Sequence, residues 1–468
     1  MNQAAAERKP GGGTAVVIGG SMAGMLAARV LADHFATVIL VERDRFPVGP
    51  EGRKGVPQGR HVHALLMRGR DILEDLFPGL QTELGAAGAP PLDAIDDFAW
   101  FSTAGWTVRF PSGLETRGCS RDLLDWAIRR RVAAYPRIQF REECDVTGLL
   151  PDAAGTGVAG VRVRSRATGA AAEEELRADL VVEASGRSSR APAWLQALGY
   201  PAVEETVINP FIGYATRCYA PPAGFPAPWK ALLVGADLPE MRRGGGIVPI
   251  EGNRWLVTLS GAGRDYPPTD ERGLLEFARS LRTPALYEAI KDAQPLGPIA
   301  GYRATENRWR RYERLARWPE RFVVLGDAAC CFNPVYGQGM SAAALAAMTL
   351  DGCLRTGAGD LRGVSRRFQR RLARTNSRLW LLATGEDFRC RETEGGRPGP
   401  LTRLVHRYMD RVILRATHDR AVRVRMLEVL HLLRPAQALV APRIAWAVLR
   451  PQPSGPARPV AAIPAKET

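Results

Sequence analysis

The stretch Gly19-Gly20-Ser21-Met22-Ala23-Gly24 constrains this chain more than any other six residues in it. It follows Thr14–Ile18, a short apolar run rich in β-branched residues, and opens a segment of helical spacing that reaches about His34. The pattern predicts a strand, a tight turn and a helix, followed by a second strand over Thr37–Glu42. Gly19 permits the turn, and Gly24 lets the helix lie close against the strand. Gly20, Ser21 and Ala23 are small enough to leave the free N–H groups of the helix start open to a pyrophosphate. Ser21 stands where such turns usually carry a second glycine, which makes the motif less specific taken alone. Glu42, ending the second strand, is placed to accept hydrogen bonds from adenosine ribose hydroxyls, and its charge disfavours a 2′-phosphate. The opening of the chain reads as a dinucleotide site.

A second segment, far along the chain, selects the dinucleotide. Val323-Val324-Leu325 reads as a buried strand and runs into Gly326-Asp327-Ala328-Ala329. Pro334 and the run Gly337-Gln338-Gly339-Met340-Ser341 then lead into an alanine-rich helix. Two helix starts from opposite ends of the chain suit the two ends of one extended cofactor, which points to FAD rather than NAD. Asp327 is expected to bond a ribityl hydroxyl. The N–H groups of Gly339 and Met340 are expected to face the pyrimidine edge of the flavin, where negative charge gathers on reduction.

Other chemistries find little support. The net charge is +15, but only five of the 64 basic residues are lysine, at 9, 54, 230, 291 and 466. Such arginine preference suits a GC-rich genome as well as a phosphate-binding surface. Without an RNP-like sequence, a zinc finger or a basic-aromatic stripe, no nucleic-acid partner is expected. Seven cysteines, an odd number with no C-x-x-C, argue against a disulfide framework, and no metal site is expected. Cys330 and Cys331 read as small buried side chains. No convincing Ser-His-Asp set is visible, so the hard chemistry falls to the cofactor. No run approaches the ~20 apolar residues of a spanning helix, and nothing near the start reads as a signal peptide. A cytoplasmic location is expected.

Taken together, the motifs resemble the FAD-dependent monooxygenases of the aromatic-hydroxylase and squalene-epoxidase type. The match covers Gly19–Gly24, Glu42, Arg121 in Cys119-Ser120-Arg121-Asp122-Leu123-Leu124, Gly186 in Asp179–Arg190, and Gly326–Ser341. A closer resemblance is to the flavin epoxidases of actinobacterial polyether biosynthesis. It rests on Arg53-Lys54-Gly55-Val56-Pro57-Gln58 with Arg60 and His63 after it, on Cys119-Ser120-Arg121, and on Phe332-Asn333-Pro334-Val335-Tyr336-Gly337.

The resemblance implies a mixed α/β fold. A Rossmann-like FAD-binding domain is assembled from discontinuous segments (1–80, 115–200 and 301–360), with a β-sheet substrate domain (81–114 and 201–300) and C-terminal helices (361–468). It further implies that Arg121 contacts the cofactor near its phosphates and that Arg43 joins Glu42 in the cofactor set. Gln58 and Arg60 follow the loop that reaches the flavin, and Val146 lies on the strand that touches the adenine. His61 and His63 either line that loop or hold it in place. Ser185-Gly186 departs from the Asp-Gly usual in hydroxylases of this group, and Cys330 replaces a frequent histidine. NAD(P)H is therefore expected as electron source either directly or through a separate flavin reductase.

The leading expectation is epoxidation of an alkene in a lipophilic polyketide or terpenoid, as in antibiotic biosynthesis, through a flavin C4a-hydroperoxide. Aromatic hydroxylation, isoprenoid reduction and halogenation are alternatives, as is a flavin-binding partner protein without turnover. Halogenation fits least, because no lysine lies between Lys54 and Lys230 and Gly244–Ile250 lacks tryptophan. The middle region reads as strands, among them Phe211–Tyr219 and Ile247–Ser260 with a turn at Gly252-Asn253. Phe211, Tyr214, Trp229 and Trp255 are candidate walls of an apolar substrate cavity with few ionisable groups. After Ser341 the pattern is almost wholly helical. Leu401, Leu404, Val405, Tyr408 and Val412 share one helical face, expected to pack on the protein body, with peripheral membrane contact as the alternative. Residues 1–13 and the tail from Pro451 are expected to be mobile.

Overall fold

Continuous Val, Ile and Leu runs can be buried on both faces, and here they build a parallel sheet. The computed structural model describes residues 12–166, 173–450, 463 and 466, so the terminal stretches expected to be mobile lie almost entirely outside the described residues. The parallel sheet runs Phe322–Val324, Leu180–Glu183, Thr14–Ile18, Thr37–Val41, Ile138–Arg141 in spatial order. Helices Met22–Leu31, Arg121–Ala133 and Gly339–Gly357 pack on it through one large core. The first helix stops at Leu31, short of the expected His34, and Phe35 turns back into the core. An antiparallel meander of Cys144–Pro151, Val158–Ser165 and Glu173–Arg177 lies beside this sheet.

A second sheet of eight strands combines Phe98–Ser102 and Gly105–Trp106 with strands drawn from Gly213 to Tyr302. The hairpin expected in the middle region is Arg243–Ile250 and Arg254–Gly261, joined through Gly252 and Asn253, both at positive φ. Alternation gives this sheet two distinct faces. Ala215, Ile247, Val257 and Leu259 point into a core closed by helices Glu271–Arg279 and Ala285–Ile290. Tyr214, Gly244, Gly246, Thr258 and Ser260 point the other way, into the cleft described below.

From Gly339 to the last described helix, Pro442–Leu449, the chain is helical apart from connecting turns, as expected. The mixed α/β fold is therefore as the sequence implies. No helix of the described residues is long and apolar enough to cross a membrane.

Candidate functional site

The carboxyl ends of four parallel strands open into one cavity of about 2190 Å³, where the first residues after each strand form its floor. Gly19 turns at φ +98°, and its N–H bonds the Val41 carbonyl at 2.8 Å. An added Cβ at Gly24 would sit 1.7 Å from the Gly19 carbonyl oxygen, so the helix touches the turn backbone to backbone. The Ser21 side chain accepts no hydrogen bond from the helix start it precedes, which leaves the first N–H groups of that helix open. Arg121 reaches across from the start of its own helix: its Nη2 lies 3.1 Å from the Ser21 hydroxyl, and its Nε bonds Asp125 at 2.7 Å.

Glu42 closes this end. Its carboxylate accepts the Gly20 N–H at 2.7 Å and the Asp44 N–H at 3.0 Å, and pairs with Arg53 at 2.8 Å. Burial pushes its pKa up, but the Arg53 charge and these hydrogen bonds outweigh burial and hold it below the ordinary range. Three of its roughly four lone-pair sites are used, which leaves Oε1 able to accept once more.

At the other end, Gly326 and Gly337 both adopt positive φ and shape the turns around Asp327 and Pro334. Asp327 lines the cavity, and burial pushes its pKa up against the pull of Arg187, Arg121 and Arg310. The helix Gly339–Gly357 begins without a side-chain cap, and the Gln338 Oε1 atom beside it is buried without a partner.

Behind this turn lies a buried network. Asn333 donates to Asp387 at 3.0 Å, Tyr336 donates to the same carboxylate at 2.7 Å, and the Tyr214 hydroxyl bonds Asn333 at 3.1 Å. Burial pushes Asp387 up to about 6, against the hydrogen bonds from Tyr336, Asn307 and Asn333. On the near side, His61 bonds Thr216 at 2.7 Å and pins its loop to the second sheet. Burial, with the Arg60 charge, lowers His61 to about 4, so it is neutral at pH 7.

Comparisons with known proteins match this architecture. A family model described as "FAD binding domain" matches residues 13–355. The chain belongs to the FAD-binding domain family. It is 35% identical over 384 residues to Protein Rv3254 of Mycobacterium tuberculosis, covering 79% of this chain and 78% of that protein. The flavin-dependent brominase Bmp2 shares its fold with a TM-score of 0.64 at 16% identity, covering 90% of this chain and 93% of that one. PqsL of Pseudomonas aeruginosa, "a probable FAD-dependent monooxygenase", does so with 0.58 at 18% identity, covering 81% and 97%. The fold is thus that of flavin-dependent monooxygenases and halogenases.

The cleft of this flavoprotein fits FAD in its own right. A Cβ at Gly339 or Gly186 would meet nothing within 4 Å, so backbone faces open space at both places. Gly19, Gly20, Ser21, Ala23, Glu42, Arg43, Gln58, Arg121, Val146, Gly186, Asp327, Pro334, Gly337, Gly339 and Met340 all line the one cavity. Three residues expected there do not. Gly24 is spent on helix–strand contact, and Arg60 ends its short turn exposed to solvent. Ser341 is fully buried against Gly69 in the neighbouring helix.

The substrate walls need more correction. Tyr214 lines the cavity, whereas Trp229 and Trp255 lie with ring centroids 5.6 Å apart, tilted by 34°, in the core on the opposite face of the second sheet. Phe211 lies under Arg264, whose guanidinium carbon is 3.5 Å from its ring centroid, outside the cavity wall. The C-terminal helices, which sequence reasoning did not assign to the site, form the remaining wall through residues such as Met409, Met426 and Leu427. The helix Pro400–Arg415 buries Val412 but leaves Leu401 73% and Leu404 61% exposed at the cavity rim, so its stripe is only half packed on the body. Ionisable groups are also more numerous than expected: Arg187, Arg423 and His431 line the cavity.

Trp255→Ala should accordingly destabilise the flavoprotein by ~3–5 kcal/mol, the cost of emptying an aromatic core position. Its rate of flavin reduction should match the parent. Chemical denaturation and stopped-flow reduction check this, and an unchanged midpoint would return Trp255 to the cavity wall.

Proposed function

We propose that the chain is a FAD-dependent monooxygenase that epoxidises an alkene in a lipophilic polyketide or terpenoid. The observation that carries this reading is the single cavity, which joins a dinucleotide cleft to a largely apolar chamber. FAD, when bound, supplies the reducing equivalents and the activation of dioxygen. Glu42, Arg43 and Val146 hold the adenosine end. Arg121 and the helix start at Ser21 hold the pyrophosphate. Asp327 takes a ribityl hydroxyl, Gln58 and Gly186 border the ring, and the Gly339 and Met340 N–H groups face the edge where charge collects. The chamber orients the alkene and excludes water.

An alkene needs no base to become reactive, whereas a phenol does. Two polar side chains of the cavity, Tyr214 and His61, already bond protein partners: Tyr214 bonds Asn333, and the His61 Nδ1 bonds Thr216. Among the described residues Lys54 is the only lysine lining the cavity, and it sits beside Arg53 at the Glu42 end, which disfavours halogenation. Ser185, in place of an aspartate, donates its hydroxyl to Glu183. We take this to favour electron delivery from NAD(P)H through a flavin reductase over direct use. Leu401, Leu404 and Val405 at the rim suit peripheral membrane contact by a cytoplasmic protein taking up a lipophilic substrate.

The test is single turnover. Chemically reduced protein is mixed with labelled dioxygen and a panel of alkenes, without NAD(P)H. One labelled atom in an epoxide is expected. Product oxygen drawn from water, or product that requires halide, would overturn the reading.

Glu42→Ala should weaken FAD binding by ~1.5–3 kcal/mol, the worth of a hydrogen bond to a charged group. The substitution also leaves Arg53 without its shorter carboxylate partner. Titration of the apoprotein with FAD measures it, and an unchanged Kd would move the adenosine away from Glu42.

A further inference from the structure

The C-terminal wall of the chamber holds a charge that the cofactor chemistry does not use. Arg423 lies on the face of the helix Arg420–Leu430 that also carries Met426 and Leu427, and it is 1% exposed. Its Nε and Nη1 atoms are buried without a hydrogen-bond partner. No carboxylate pairs with it among the described residues, and burial alone pulls its pKa down to about 9. Its guanidinium carbon lies 4.7 Å from the centroid of the Trp100 ring, whose own Nε1 is likewise buried without a partner. Both side chains line the cavity, among Leu92, Ala94 and Leu430. His431, also on this wall, is lowered to about 4 by burial and by the charges of Arg70 and Arg423, so it is neutral at pH 7 and adds no second cation.

Packing does not account for this arginine. A methionine at the same position would fill the space without burying an unpaired cation, which is among the costlier things a core can hold. The ring contact engages the guanidinium without using up its N–H donors. A planar fork of donors at a dry wall matches the two oxygens of a carboxylate.

We propose that Arg423, with Trp100 Nε1 beside it, is a binding subsite for the carboxylate of an elongated apolar substrate. The substrate is then an alkenoic acid, anchored at this wall with its hydrocarbon running through the chamber toward Gly339. The assignment rests on the chamber being the substrate site of the proposed monooxygenase, but it uses no step of that chemistry.

The test measures binding to the oxidised, FAD-loaded protein by calorimetry. The probes are oleate and farnesoate, each against its methyl ester, below their micellar concentrations. At least one acid should bind tenfold or more tighter than its ester. Arg423→Met should abolish that difference and leave ester affinity within twofold of the parent, while Arg423→Lys retains part of it. Arg423→Met should melt no lower than the parent, since it removes an unpaired buried charge. If it fails to fold, Trp100→Phe, which removes the indole donor and keeps an aromatic ring against the guanidinium, should still narrow the acid preference. Equal affinities of acid and ester for both pairs, no binding of either acid, or a preference that survives Arg423→Met would overturn the assignment. Failure of the monooxygenase reading shows elsewhere, as absence of label from dioxygen, and leaves these affinities unchanged.

Discussion

Gly339→Val is expected to fold, to melt like the parent stripped of FAD, and to purify without colour. An added Cβ at this position meets no protein atom within 4 Å, so nothing in the chain resists the substitution. The space it enters is the cavity at the open start of the Gly339–Gly357 helix. A branched side chain there would hold the flavin edge away from the backbone N–H groups. The affinity lost should be at least ~100-fold, equivalent to ~2.7 kcal/mol. Absorbance of the purified protein and FAD titration check the result. Normal binding and turnover would mean that the second cofactor segment has been misplaced.

Gly24→Ala should fail in a different way, by losing the fold along with the flavin. Its methyl group would lie 1.7 Å from the Gly19 carbonyl oxygen and 2.9 Å from the carbonyl carbon. Neither atom can move freely, because Gly19 is fixed by its bond to Val41 and by its place at the end of the central strand. The helix would have to lift from the sheet across a core that includes Leu26 and Ala27. A cost above ~3 kcal/mol is expected, at or beyond the usual range for overpacking. Gly352→Ala, in a helix position where a Cβ meets nothing within 4 Å, serves as the control. It should be neutral or stabilising by up to ~1 kcal/mol. Denaturation midpoints of the two variants, measured together, decide whether contact or composition is responsible.

The cleft was legible in the sequence because its parts are local. A strand, a glycine turn and a helix start occupy a few consecutive residues, so Gly19–Gly24 and Gly326–Met340 carry their geometry with them. The chamber was less legible because its walls depend on which face of a sheet looks inward. Trp255 pairs with Tyr219 and shares its face with Val257 and Leu259, whereas Thr258 and Ser260, on alternate positions, look into the cavity. Aromatic character alone does not choose between these faces; the helices Glu271–Arg279 and Ala285–Ile290 do, by covering one of them. Arg423 carries a readable signal. It stands three and four residues before Met426 and Leu427, at a position where helical spacing calls for an apolar side chain.

Asp387 is the last residue of the helix Val364–Asp387, yet it holds Asn333 and Tyr336 in the turn before Gly339, and through Asn333 it reaches Tyr214. That makes it a boundary marker for transplantation. An exchange of C-terminal helices between relatives, made to alter which molecules the chamber admits, would break this keying if the junction fell before Asp387. A junction between Gly396 and Pro400 keeps the carboxylate with its native turn, keeps the Glu392 and Glu394 pairs with Arg242 and Arg264, and swaps the outer wall.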